Sequence, residues 1–137
     1  MRSYILDACA LIALLKNEIG ADVVSAAINA ANKGDAVIAI NKLNLLEVYY
    51  DAYRLCGKAQ ADFMVSALKQ SPVRVVSEIK DSVFAEAGRL KATYRISLAD
   101  SIALAETFVS GGELLTADHH EFDAVEKQEN IRFMWIR

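Results

Sequence analysis

The chain has 137 residues, 54% of them hydrophobic, and 15 basic against 18 acidic side chains give it a net charge of −3. That length makes one domain, residues 1–137, able to bury roughly 65–70% of its unfolded surface, so disorder is excluded and no disulfide or structural metal is needed. The acidic balance excludes nucleic-acid binding through a broad basic surface, and 22 alanines against one proline favour helix over an all-β sandwich.

Ser3 to Leu6 is a short apolar run and predicts a buried strand. Ala8 to Asn17 predicts a helix, and Ile19 to Asn32 a second that ends near Gly34. Ala36 to Ile40 is the next strand. Leu45 to Leu55 is a helix ending at Gly57, and Lys58 to Gln70 is another, stopped by Ser71-Pro72. Val73 to Val76 predicts a strand. Lys80 to Thr93 is helical, with Val83, Ala87, Leu90 and Tyr94 at helical spacing. Ser97 is an N-cap with Asp100 in capping-box position, opening a helix that runs to Val109 and stops at Gly111-Gly112. Glu113 to Thr116 and Ile131 to Ile136 are the last strands. Helices alternating with short apolar strands predict a parallel sheet covered on both faces, a three-layer αβα sandwich of the α/β class.

Cys9 and Cys56 form neither a CxxC nor a zinc spacing and read as reduced thiols of a cytoplasmic protein. Arg2 followed by the apolar run Ala8 to Leu15 imitates a signal peptide. The run is short, however, and Asp7, Lys16 and Glu18 flank it, so neither a leader nor a membrane span is expected.

In open α/β sheets ligands bind beyond the carboxyl ends of the strands. Asp7 follows the first strand and Asp118 follows Leu114-Leu115-Thr116, so both fall on one edge of the sheet. Glu47 and Asp100 stand inside apolar helical text, where a carboxylate is costly unless it is paired or binds a cation. Each acid has an ordinary reading alone: a cap, a turn or a solvated helix face. Together they predict one acidic cluster that repels itself when bare. Such a cluster suits a hard divalent cation, Mg²⁺ or Mn²⁺, better than zinc.

Four segments carry a resemblance. They are Tyr4-Ile5-Leu6-Asp7-Ala8-Cys9-Ala10-Leu11-Ile12-Ala13, Asn44-Leu45-Leu46-Glu47-Val48-Tyr49-Tyr50, Ser97-Leu98-Ala99-Asp100-Ser101-Ile102-Ala103-Leu104-Ala105 and Leu114-Leu115-Thr116-Ala117-Asp118. In this order they resemble PIN-domain ribonucleases, specifically the VapC-type toxins of bacterial and archaeal toxin–antitoxin pairs. The resemblance implies a five-stranded parallel sheet and Mg²⁺- or Mn²⁺-dependent endonucleolytic cleavage of RNA, leaving a 5′-phosphate and a 3′-hydroxyl. It places Asp7, Glu47 and Asp100 on the family's three acidic metal positions, Asp118 on the fourth, and Thr116 on a hydroxyl position beside them. It also implies a homodimer and a small antitoxin wrapped over the toxin. One residue departs from the pattern: Cys9 stands where the family often has Ser or Thr, and a thiol is the weaker hydrogen-bonding group. Asp123 reads either as a further acid at the rim or as a solvated residue.

Lys42, Arg54, Arg89, Lys91 and Arg95 are rim candidates for phosphate contacts, each with a solvated reading beside it. Leu45, Leu46, Val48, Tyr49, Tyr50 and Tyr53 surround Glu47 on all sides of one helix, which predicts burial or an interface for at least one tyrosine. The alternatives are a catalytically silent PIN scaffold binding RNA or protein, and another Mg²⁺-dependent phosphohydrolase. A haloacid-dehalogenase phosphatase lacks its second Asp, since Cys9 stands there. A receiver domain lacks its extra acids and its lysine. A thiol hydrolase would pair Cys9 with His119.

Overall fold

The computed structural model describes all of residues 1–137. In chain order the elements are β1 (Arg2–Leu6), α1 (Ala8–Leu15), α2 (Ala21–Asn32), β2 (Ala36–Asn41), α3 (Lys42–Cys56), α4 (Lys58–Lys69), β3 (Val73–Val76), α5 (Asp81–Thr93), α6 (Leu98–Ser110), β4 (Glu113–Thr116), α7 (His119–Gln128) and β5 (Arg132–Trp135). The strands form one parallel sheet in the order β3-β2-β1-β4-β5.

Alternation along β1 divides the core into two halves. Tyr4 and Leu6 point to one face and pack with Leu11, Val24, Ile38, Ile40, Leu45, Val48 and Leu68, so α1 to α4 cover that side. Ile5 points the other way, into Leu90, Leu104, Leu114, Phe122 and Val125 of α5, α6, β4 and α7. Both faces of β1 are thus dry, which explains a strand that is almost uninterruptedly apolar. Close approach fixes the join of α6 to β4. A Cβ added at Gly112 would lie 2.5 Å from the Ser3 main-chain oxygen, so only glycine fits there.

Strand order reverses between β1 and β4: β2 and β3 extend the sheet one way, β4 and β5 the other. The carboxyl ends of β1 and β4 therefore open side by side at a topological switch point, the place where such sheets bind ligands. Leu6 pairs with Leu115, so the residues that follow these two strands leave the sheet together.

All five strands lie where the sequence puts them, within a residue or two. One element has no counterpart among the predicted ones: the stretch after Asp118 is the ten-residue helix α7. Only Phe122 and Val125 of it are buried, so its apolar signal is thin. The α3 helix also differs from an all-round buried one. Leu45 and Val48 enter the core, whereas Leu46, Tyr50 and Tyr53 form a stripe about half exposed (51%, 49% and 46%).

Candidate active site

Asp7 is the first residue beyond β1 and is only 2% exposed. Its amide continues the sheet by donating to the Leu115 main-chain oxygen at 3.4 Å. Its carboxylate caps α1, accepting from the Ala10 N–H at 2.8 Å. The cap explains why an acid is tolerated at this depth: the helix N-terminus presents unpaired N–H groups and a partial positive charge. That does not compensate for the lost water. Burial pushes the Asp7 carboxyl up to about 7, against the opposing hydrogen bonds from Thr116 and Ala10, and the charges of Asp100 and Asp118 push it the same way.

Thr116 ends β4 fully buried, and its hydroxyl joins two acids. It holds the Asp7 carboxyl down and accepts from the Asp118 N–H at 3.1 Å. Asp118 in turn caps α7, accepting from the Glu121 N–H at 3.2 Å.

Asp100 lies in the first turn of α6, whose N-cap Ser97 accepts from the Asp100 N–H at 3.0 Å, as the capping-box spacing predicts. Burial pushes the Asp100 carboxyl up to about 6, opposed by a bond from Ser97 and reinforced by the charges of Asp118, Glu47 and Glu121. Glu47 is half-buried on α3, and burial raises it too. Asn44, one turn earlier on α3 and fully buried, donates from Nδ2 to the Ala99 main-chain oxygen at 2.9 Å. This ties α3 to the residue before Asp100.

The acids form a chain of interactions: Asp7 feels Asp100 and Asp118, and Asp100 feels Asp118, Glu47 and Glu121. None of the eight ion pairs of the chain involves any of these five residues. As placed, no three of the His, Cys, Asp and Glu side chains stand close enough to share one cation. Their donor chemistry nevertheless fits a hard divalent ion. The donors are carboxylate oxygens, those of Asp7 and Asp118 held at helix caps and those of Asp7 and Asp100 raised by burial, and none of them is ion-paired to a lysine or arginine. Glu121 was missed in the sequence. Its signal was there, because Asp118 followed three residues on by Glu121 is a helix-start spacing.

Other candidates go elsewhere. Asp123 is turned to His119 Nδ1 at 2.9 Å and is 55% exposed, so it does not face the acids. Cys9 is raised by burial and by the Asp7 charge, which disfavours a thiolate. His119 bonds Asp123 and the Arg137 main-chain oxygen, not Cys9. Among the rim cations, Arg89 is taken up by Glu86 and Glu129, and Arg54 by Asp51. A surface hollow of about 400 Å³ contains none of the acids. It lies among α3, α4 and β3, with Leu45, Leu46, Tyr49, Val65 and Val75 between Lys42 and Lys69.

The sequence profile of the PIN domain matches residues 4–128. The chain belongs to the PIN-domain family. Solved structures share the fold of this PIN domain at low identity. A chain of VapBC2 from Rickettsia felis, bound to a DNA fragment from its promoter, is 16% identical with a TM-score of 0.76, over 97% of this chain and 98% of that one. A chain of DNA-bound VapBC from Salmonella typhimurium is 14% identical with a TM-score of 0.76 over 100% of both. VapC20 of Mycobacterium tuberculosis, a sarcin-ricin loop cleaving toxin, is 16% identical with a TM-score of 0.62 over 88% and 94%. At these identities the likeness is one of fold. Comparison with curated proteins finds no match to the PIN domain's sequence. No helix of it is long and apolar enough to cross a membrane.

Proposed function

We propose that this PIN domain is an endoribonuclease dependent on Mg²⁺ or Mn²⁺, the toxin of a toxin–antitoxin pair acting in the cytoplasm. The observation that carries the reading is Asp7. It is a carboxylate 2% exposed at the switch point, unpaired with any cation and under the field of Asp100 and Asp118. So costly an arrangement is retained where a cation is to be held.

Asp7, Asp100 and Asp118 would hold the cation directly or through water, with Glu47 either a further ligand or the group that orients the attacking water. When bound, the divalent ion supplies positive charge for the phosphate and lowers the pKa of water. Glu47, raised by burial, is suited to accept the proton of that water. Water adds to phosphorus, the bond to the ribose 3′ oxygen breaks, and that oxygen leaves protonated. Thr116 positions Asp7 and Asp118 relative to each other.

The fold shared with VapBC chains supports a cognate antitoxin as partner. The hollow beside α3, apolar with Lys42 and Lys69 at its margin, suits an amphipathic segment carrying acids. The exposed Leu46, Tyr50 and Tyr53 stripe suits a homodimer contact.

The test is cleavage of total cellular RNA by antitoxin-free protein with Mg²⁺, with Mn²⁺ and with EDTA, beside Asp7→Asn. Cleavage that needs the metal and is absent from the variant is expected, and fragment ends identify the target. Full activity in Asp7→Asn would overturn the assignment. A second reading, a silent scaffold, is favoured by the fact that no three acids yet converge. It predicts RNA or protein binding without metal-dependent cleavage.

A further inference from the structure

One run of rings leads out of the core to the acidic edge, and hydrolysis makes no use of it. Phe122 packs against Phe133 at 5.7 Å between centroids. Phe133 stacks on Trp135 at 5.3 Å and 10°, and Trp135 on His119 at 3.7 Å and 13°. The indole is fixed by its Nε1 donating to Glu126 at 3.0 Å. The imidazole is fixed at both edges, Nδ1 to Asp123 and Nε2 to the Arg137 main-chain oxygen, each at 2.9 Å. Even so, its side chain is 48% exposed. One face lies on Trp135 and both nitrogen edges are engaged, so the exposed part is the outer face. His119 directly follows Asp118.

A flat ring that cannot rotate, with one face open beside the candidate site, is what an unpaired nucleobase stacks on. We propose that the outer face of His119 is a stacking platform for a base of single-stranded RNA, flanking the phosphate that lies at the cation site of Asp7, Asp100 and Asp118. This rests on the ribonuclease reading above. Because both imidazole nitrogens are occupied within the protein, His119 offers a base no hydrogen bond. The platform therefore holds any base, purines more tightly than pyrimidines through their larger face, and does not read base identity.

The test measures binding of a single-stranded RNA decamer to Asp7→Asn protein with Mg²⁺, where nothing is cut. Binding is followed by the emission of Trp135, the chain's single tryptophan. The decamer is compared with a set in which each position in turn is abasic. One position is expected to weaken binding about tenfold or more when its base is removed. In His119→Phe, which keeps a flat ring, that penalty should remain. In His119→Leu, which still covers Trp135 but offers no ring, it should vanish. A merely structural histidine would change stability in both variants without abolishing the abasic penalty. The proposal is overturned if the penalty persists in His119→Leu, if no position of the decamer shows one, or if the decamer does not bind. If the wild type cuts no RNA but the penalty depends on the ring at position 119, the nuclease reading fails and the platform stands. Normal cleavage with no such penalty gives the reverse.

Discussion

Asn44 reaches across from α3 to donate to the main-chain oxygen of Ala99 at 2.9 Å, so the helix bearing Glu47 is clamped to the helix bearing Asp100 one residue before that acid. The Asn44 Oδ1 is buried and has no partner, so this clamp is maintained at the cost of an unmet acceptor. Truncation to Asn44→Ala removes the bond and leaves a small cavity. We expect a loss of about 1–3 kcal/mol in denaturant unfolding. Cleavage should fall further than stability explains, because Glu47 and Asp100 lose their fixed separation. Activity measured well below the variant's melting temperature checks this.

Titration of Asp7 and Asp100 makes stability depend on pH in a direction opposite to that of an ordinary salt-bridged acid. Both carboxyls are raised from 3.8, to about 7 and about 6, so the folded chain binds their protons more tightly than the unfolded chain does. The associated stability is present below about pH 4 and is lost as pH rises through about 6 to 7. In EDTA the melting temperature is therefore expected to fall from pH 5 to pH 8. Asp7→Asn keeps an N-cap side chain, as asparagine caps as well as aspartate does, but removes the charge. It should raise the melting temperature at pH 8, by up to about 4 kcal/mol in stability, and flatten the pH dependence.

Replacing Thr116 by the similarly shaped valine deletes one hydroxyl from between two acids. Asp118 loses the acceptor for its N–H, and Asp7 loses the hydroxyl that holds its carboxyl down. We expect a stability loss of about 1–3 kcal/mol. The acid limb of the pH–cleavage profile should move to higher pH, as Asp7 becomes harder to ionise. A profile measured at saturating Mg²⁺ for both proteins would show the displacement.

Glu121 adds to the charge that raises Asp100. Glu121→Gln removes that charge and retains the shape, so Asp100 should ionise at lower pH. The expected outcome is a pH–cleavage profile whose acid limb moves down, with the melting temperature at pH 8 unchanged or slightly higher. Movement in the same direction as Thr116→Val would contradict the arrangement described here.

The strands and most helices were legible because their signals are local. Val73 to Val76 is short but apolar and follows a proline, and Ser97 with Asp100 announces a helix start. The α7 helix escapes because its two core contacts, Phe122 and Val125, are set in charged text, and Asp118 alone reads as readily as a turn aspartate. For the site, sequence order could show that Asp7 and Asp118 leave strands on the same edge. It could not show that Thr116 holds down the carboxyl of one acid and accepts from the amide of the other. Nor could it show that Asn44 grips α6, because those relations arise from helix packing across long separations. The His119 stack was equally hidden, since its partner Trp135 lies on a different element.

Leu6 pairs with Leu115, so Asp7 and Asp118 become neighbours only through a contact between distant parts of the chain. During synthesis β1, β2 and β3 can associate early, but the groove between β1 and β4 does not exist until Glu113–Thr116 has been made and threaded alongside β1. Closing so long a loop is slow compared with local pairing. The acidic centre is consequently among the last features to mature, and an incomplete chain carries Asp7 without the neighbours that the finished fold sets around it.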